Sequence, residues 1–373
     1  MGVDAPATVG TLLRDVDTPA LLVDLDVFES NLKRMATDVS ALSIDLRPHA
    51  KTHKSADIAK AQIASGAVGV CCQKVSEAEA LVAAGISDIL ITNEVVGTRK
   101  IDRLVALSKR AKIVACVDNV ANVEALENAA GYSGQTLDLL VEVNVGSSRC
   151  GVDPKTAVAL AQRISESPHL RFSGLQAYHG GAQHIREFAE RREAIASASA
   201  VVSDVVNQLQ IAGIQCQRVT GAGTGTWQFE ATSGVYTELQ AGSYIFMDAD
   251  YARNHHEPID QPGNFGHSLF VYATVMSTPE PGRVVVDAGL KSMAFDAGMP
   301  LVVDDLATQY ERPSDEHGNL ILSKASMAYE LGDKLKLIPG HCDPTVNLHD
   351  WYVCVRGDVV EAIWPVTCRG ALF

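Results

Sequence analysis

From residue 20 to about residue 245 the chain alternates short runs rich in Val, Ile and Leu with longer amphipathic stretches, and few folds accept that order. The strand candidates are Ala20–Val23, Ile44–Arg47, Val68–Cys72, Ile89–Thr92, Ile113–Val117, Leu137–Asn144, Phe172–Tyr178, Gln217–Thr220 and Glu238–Tyr244. Between them lie helical patterns such as "SEAEALVAAG" (76–85), "KTAVALAQRISES" (155–167) and "IREFAERREAIASASAVVSDVVNQLQIAG" (185–213). Strands and helices at this spacing predict a parallel sheet built from βα units. Most of the strands are apolar and rich in Val and Ile, as burial on both faces requires. There is one candidate more than an eight-stranded barrel needs, and the first, "PALLVDLD", opens the series with no helix before it. Setting that run aside leaves a (β/α)8 barrel over residues 25–250, with an open doubly wound sheet as the alternative.

After about residue 262 the pattern changes. "LFVYATVMSTPEPGRVVVDAGL", "KLKLIPG" and "WYVCVRGDVVEAIWPV" are strands separated by Pro/Gly turns, which predicts an all-β C-terminal domain. "NHHEPIDQPGNFGH" (254–267) is the expected linker, and 373 residues are more than one core usually serves.

A net charge of −14 argues against nucleic acid or an anionic membrane as the main partner. No apolar run approaches a membrane span, and the N-terminus lacks the basic-then-apolar order of a signal peptide. The eight cysteines fall mostly in apolar segments such as "GVCCQ" and "IVACVD". That placement predicts buried thiols in a reducing cytoplasm, with no disulfide framework.

In a barrel, reactive groups gather at the C-terminal ends of the strands. Lys51, Gln73, Thr92, Asn93, Asp118, Asn144 with Arg149, Tyr178 with His179, and the run Gly221–Thr226 all fall there. Several have plain readings. Asp118 and Asn119 look like a helix N-cap pair. Glu142 is either a charge balanced inside the barrel or a packing exception. His255, His256 and His317 lie in polar loops. Lys51 stands out, because "RPHAKTHKS" (47–55) delivers it from the end of a short buried strand, flanked by His49 and His53. A lysine so placed, with the late Gly-rich "TGAGTGT" (220–226), fits an aldehyde cofactor whose phosphate is held by backbone N–H groups and threonine hydroxyls. A structural lysine or another phosphate ligand remains open at this point. A dinucleotide fold is disfavoured, because Glu238 precedes "LQAGSY" where an acidic ribose partner would follow a strand.

Taken in order, "DTPALLVDLD", "RPHAKTHKS", "VNVGSSRCGV", "GLQAYHGGAQH", "GAGTGT" and "PGHCDP" closely resemble the D-threonine aldolases. These belong to the alanine-racemase-like (fold type III) pyridoxal-phosphate enzymes, together with the D-serine dehydratases. The resemblance covers nearly the whole chain. It implies a barrel followed by a β-domain, residues 262–373, that also takes in the N-terminal strand within residues 1–24. It implies Lys51 as the Schiff-base lysine, with Gly223, Thr224 and the backbone of Gly242, Ser243 and Tyr244 around the phosphate. Arg149 would sit beside the cofactor's phenolic oxygen and Tyr178 near its ring, with Gln73 as a further cofactor contact. His184 matches the family's catalytic histidine; without the resemblance it reads equally well as a surface residue opening the helix "IREFAERR". His49 and His53 receive no role.

The resemblance further implies that His341 and Asp343 of "PGHCDPT" (339–345) bind a divalent metal that holds the substrate's β-hydroxyl. In an extended segment, residues two apart face one side, so these two would converge while Cys342 points away. The dehydratase relatives carry His-x-Cys there, with a thiolate suited to zinc. Aspartate suits manganese first, then magnesium, with zinc also able to bind. The expected activity is therefore retro-aldol cleavage of D-threonine or another D-3-hydroxy-amino acid to glycine and an aldehyde, by a homodimer with sites near the subunit interface. The alternatives are a metal-dependent dehydratase of D-serine or D-3-hydroxyaspartate and a non-catalytic pyridoxal-phosphate carrier. The β-domain counts against the carrier.

Overall fold

The strands form where the apolar runs predict, and they divide between two sheets. A computed structural model describes residues 4–256 and 265–373, so the middle of the expected linker lies outside the described residues. In chain order the first strands and helices are β1 (Ala20–Asp24), α1 (Leu25–Ala41), β2 (Asp45–Leu46), α2 (Ala56–Ala64), β3 (Val70–Cys72), α3 (Val75–Ala83), β4 (Asp88–Glu94) and α4 (Thr98–Ser108). There follow β5 (Lys112–Val117), α5 (Val120–Ser133), β6 (Leu137–Glu142), α6 (Ala157–Ser165), β7 (Leu170–Ala177), α7 (Phe188–Ile211), β8 (Val219–Gly221), α8 (Trp227–Thr232) and β9 (Glu238–Leu239).

Strands β2 to β9 make one parallel sheet in the order β2-β9-β8-β7-β6-β5-β4-β3. Its two ends meet through backbone hydrogen bonds from Val68 to Leu46 at 2.9 Å, and between Ala50 and Cys71 and between Cys71 and Pro48 at 2.8 Å each. The sheet therefore closes, and the fold is the (β/α)8 barrel expected. Alternate residues separate its two faces, as a pleated strand demands. Cys71, Leu90, Val114, Cys116 and Leu140 form a cluster of their own, while neighbours such as Val70, Ile89 and Ala115 join the larger core beneath the helices.

Part of the barrel interior is polar. Arg47, 1% exposed, donates to Glu238 at 3.0 Å and Asp88 at 2.6 Å near the N-terminal strand ends. A side chain on Gly69 would bring a Cβ within 2.3 Å of the Arg47 guanidinium, so glycine there keeps the space open. Glu238 accepts from Thr220 at 2.9 Å, Thr220 from Gln240 at 2.9 Å, and Gln240 exchanges amide bonds with Gln176 at 2.6 and 3.1 Å. This ladder of satisfied groups climbs from the Arg47 ion pair to the floor of the mouth. Removing one member would strand its partner, which for a buried ion pair costs about 3–5 kcal/mol.

The remaining strands are β10 (Leu269–Glu280), β11 (Arg283–Val286), β12 (Leu301–Val302), β13 (Gln309–Glu311), β14 (Gly318–Ile321), β15 (Lys334–Ile338), β16 (Trp351–Arg356) and β17 (Val359–Pro365), with the short helix α9 (Cys342–Val346) before β16. They form a second sheet in the order β11-β14-β13-β12-β15-β10-β1-β16-β17. The surplus ninth candidate belongs here: β1 lies antiparallel to β10 and parallel to β16. Leaving β1, the chain enters α1 through Asp24, whose carboxylate accepts from Val27 N at 3.1 Å as an N-cap.

All eight cysteines are free and six are buried, so the thiols sit as their apolar surroundings suggest. Among the described residues, no helix is long and apolar enough to cross a membrane.

Candidate active site

Each basic residue of "RPHAKTHKS" goes to a different partner. Arg47 closes the barrel floor, and Lys54 pairs with Glu77 at 2.8 Å in a buried contact. His53 is fully buried, its Nδ1 accepting from Ser55 N at 3.1 Å; burial holds its pKa down at about 4. His49 sits beside Thr92 at 2.9 Å and Gln73 at 2.8 Å. Burial first, and then the Lys51 charge, hold His49 neutral, with its pKa well below the usual value. Lys51 extends into a cavity at the C-terminal mouth of the barrel that His49 also borders, its side chain 41% exposed. There its ammonium meets the Asp343 carboxylate.

The cavity is bordered by Lys51, Gln73, Arg149, Tyr178, Thr224 and Ser243 among others. One rim joins the loop after β8 to the turn after β9. Thr224 Oγ1 is buried there without a hydrogen-bond partner. Among the described residues, the backbone N–H groups of Gly223, Thr224, Ser243 and Tyr244 donate to no backbone carbonyl. A Cβ on Gly242 would lie 2.5 Å from the backbone His49 O, so that turn requires glycine, and one on Gly223 would crowd the Gln183 amide at 2.5 Å. Free amides, an orphaned hydroxyl and Ser243 Oγ, 3.3 Å from Thr52 Oγ1, make a fitting cradle for a phosphate. Tyr244 contributes no side chain to it. Its ring is buried against Phe265 at 5.4 Å, and its hydroxyl accepts from Gln62 at 3.2 Å. Ala222, next to the cradle, holds φ +70, and Ser148, beside Arg149, φ +51. Such left-handed backbone in non-glycine residues is uncommon and collects at functional sites. The Arg149 guanidinium lies 5.7 Å from the centre of the Tyr178 ring.

The β-domain reaches Lys51 through Asp343, and here the expected local geometry needs correcting. The segment carrying His341 and Asp343 is not extended: His341 is the N-cap of α9, and Asp343 lies in that helix's first turn. Cys342 does turn away, but because its thiol is buried and donates to Met247 O at 3.3 Å. His341 Nδ1 faces Asp296 at 2.7 Å, which fixes the ring and directs Nε2 elsewhere. Asp343 Oδ1 is buried and unpartnered, while Oδ2 meets Lys51. Burial pushes the Asp343 pKa up, yet the charges of Lys51 and His341 outweigh it and hold the carboxyl at about 2. A permanently charged carboxylate with one free oxygen beside an oriented imidazole fits a divalent cation, with positions left open for water or substrate.

His184 ends a short 3-10 turn (Gly181–His184) after β7. It does not open a helix, since α7 starts only at Phe188. Its Nδ1 faces Asp250 Oδ2 at 2.6 Å, and its ring stacks on Tyr251 with centroids 5.7 Å apart. Tyr251 also borders the Lys51 cavity, so His184 stands one ring away from that space.

Comparison with known proteins identifies the family. Residues 23–250 match the family described as alanine racemase, N-terminal domain, and residues 268–355 match the putative serine dehydratase domain. A D-threonine aldolase of Arthrobacter sp is 49% identical over 366 residues, which cover 98% of this chain and 96% of that protein. The chain belongs to the D-threonine aldolase family. A 3-hydroxy-D-aspartate aldolase of Paracoccus denitrificans (strain Pd 1222) is 45% identical over 99% of this chain and 96% of its own length. The crystal structure of a D-threonine aldolase from Filomicrobium marinum superposes with a TM-score of 0.97 at 49% identity, covering 100% of both chains.

Within this family frame, several residues at the mouth went unread in the sequence. Asp248, Asp250 and Tyr251 follow the turn after β9, in "FMDADYARN". Two carboxylates in an otherwise apolar run were the available signal. Burial raises Asp248 to about 6, and it accepts from Tyr251 N at 2.9 Å and Cys342 N at 3.2 Å, tying the barrel to α9. Asp118 is not a cap. Asn119 alone caps α5, and Asp118 accepts from Gly151 N at 3.0 Å. Glu142 is buried next to Glu94, and burial, then that neighbour, raises it to about 8. Among the described residues, one trio of metal-type donors lies within mutual reach, and it is Glu94, Asp118 and Cys150, not a set around His341. His256 is half-buried against the aromatic cavity behind the phosphate cradle and not simply solvated.

Proposed function

We propose that this chain, with pyridoxal 5'-phosphate at Lys51 and a divalent metal at His341 and Asp343, splits D-threonine or a related D-3-hydroxy-amino acid into glycine and an aldehyde. The observation that carries this reading is the contact between Lys51 and Asp343, which lie 292 residues apart, one in a turn after barrel strand β2 and the other in helix α9. Cleavage of a Cα–Cβ bond needs an electron sink at one end of the substrate and deprotonation of a hydroxyl at the other. When bound, the cofactor supplies the sink. A metal at His341 Nε2 and Asp343 would acidify the hydroxyl it holds.

The chain's own residues do the rest. Thr224, Ser243 and the free amides grip the phosphate, and Arg149 and Tyr178 flank the ring. His184 takes the β-hydroxyl proton at the ring nitrogen not engaged by Asp250. The hard oxygen of Asp343 favours manganese or magnesium over zinc. Two relatives at 49% and 45% identity named as aldolases support this over dehydration. Incubation of the loaded enzyme with D-threonine and D-serine tests the reading: glycine and acetaldehyde from D-threonine support it, and a keto acid from either overturns it in favour of dehydration. We also place the protein in a reducing cytoplasm, which its free thiols support, and as a homodimer like the family it resembles. Sedimentation of the purified protein checks the dimer.

A further inference from the structure

We infer that Asp250 is a positioning residue for His184, fixing the proton on Nδ1 so that Nε2 presents its lone pair toward the cavity. The inference rests on the retro-aldol reading for what Nε2 then does. The geometry is a buried carboxylate facing a half-exposed ring: Asp250 is 6% exposed, and its Oδ2 lies 2.6 Å from His184 Nδ1. An ionised carboxylate only accepts hydrogen bonds, so the nitrogen facing it must carry the hydrogen. In the neutral ring the other nitrogen is then the base.

Two features keep Asp250 in that state. Arg186 holds its second oxygen and also donates to the Asp250 carbonyl at 2.7 Å and to Asn254 Oδ1 at 2.8 Å. Burial would raise the Asp250 pKa, but the hydrogen bonds from Arg186 and His184 outweigh it and keep the carboxyl below its usual range. The ring plane is fixed independently. Tyr251 stacks on it at an interplanar angle of 27°, and the backbone N–H of Tyr251 is tied to Asp248. Among the described residues, His184 Nε2 has no hydrogen-bond partner. A side chain 53% exposed and held one ring from the cavity would otherwise sample several orientations and both tautomers. Asp250 and Tyr251, adjacent in sequence, restrain it from edge and face.

Glycine release from D-threonine by wild-type holoenzyme is measured first; failure there removes the retro-aldol reading, and the tautomer measurement below still decides the part of Asp250. Next come Asp250→Asn, His184→Ala and the double variant. Asp250→Asn should lower kcat by about 10–100-fold, the range for an outer partner of a functional histidine, with KM nearly unchanged. In the His184→Ala background the same substitution should leave kcat unaltered, because there is no ring left to orient. An equal loss in both backgrounds, or a loss confined to KM, overturns the inference. If Asp250→Asn fails to fold, nitrogen NMR of histidine-labelled wild-type enzyme decides: a neutral His184 protonated at Nδ1 supports the proposal, and one protonated at Nε2 refutes it.

Discussion

The ammonium of Lys51 rests on the carboxylate of Asp343, across the seam between the barrel mouth and α9. Burial alone would lower the Lys51 pKa, but attraction to the Asp343 carboxylate outweighs it and leaves the lysine raised. Each charge thus holds the other in place. A cation claiming Asp343 would remove the lysine's counter-ion and ease its deprotonation, so the proposed site would couple metal and cofactor through a single carboxylate.

Lys51→Ala is expected to abolish both the visible absorbance of lysine-bound cofactor and the activity, while far-UV circular dichroism stays unchanged. Lys51 lies in a turn outside every helix and strand, so the barrel does not depend on it. Cofactor absorbance persisting in this variant would move the attachment elsewhere. Lys54 is an unsuitable substitute, since it is buried against Glu77.

Chelation should remove activity, and manganese or magnesium should restore it better than zinc. Asp343→Ala should be indifferent to added metal. The coupling makes a further demand: wild-type apoenzyme should take up cofactor more tightly with manganese present than after chelation. Full activity in metal-free enzyme would be incompatible with the proposed site.

His184→Ala is expected to retain the cofactor spectrum and lose about 10²–10⁴-fold in kcat, the usual contribution of a general base. Turnover at the wild-type rate would return His184 to a structural role on the rim.

The sequence made the barrel legible because its strands are buried on both faces, and an apolar run betrays such a strand without needing a partner. Strand ends were less legible. The run Glu238–Tyr244 supplies only the two-residue β9, because Gly242 must then press its backbone against His49 O. α7 begins at Phe188 and not at Ile185, since Arg186 is drawn onto Asp250. The shape of "HCDP" was misjudged, because a proline in the first turn of a helix is as acceptable as one in a bend. Lys51 and Thr224 could be picked out because they belong to compact local runs. Asp250 and Tyr251 could not, because their meaning comes from His184, 66 residues away in the chain for Asp250.

Glu230 gives a pH-dependent test of stability behind the phosphate cradle. It is buried in α8, accepts from Thr226 at 2.8 Å and has its other oxygen unpartnered. Burial raises its pKa from 4.5 to about 7. Between those values the folded state keeps a proton that the unfolded state has lost, so this group's stabilising contribution is complete below pH 4.5 and declines as pH rises through 7. The full change is on the order of 3 kcal/mol. Glu230→Gln should therefore show a smaller loss of denaturation midpoint between pH 4.5 and 7.5 than wild type does. Parallel curves for the two proteins would contradict the assignment.

The central claim is that a cofactor-bearing lysine and a metal from different parts of the fold serve one cavity. Anomalous diffraction from crystals loaded with pyridoxal phosphate and manganese tests it most directly. The expected result is a single strong manganese peak bound by His341 Nε2 and Asp343, in the same cavity as cofactor joined to Lys51. Manganese at Glu94, Asp118 and Cys150 with the His341–Asp343 pair bare, or cofactor away from Lys51, would contradict it.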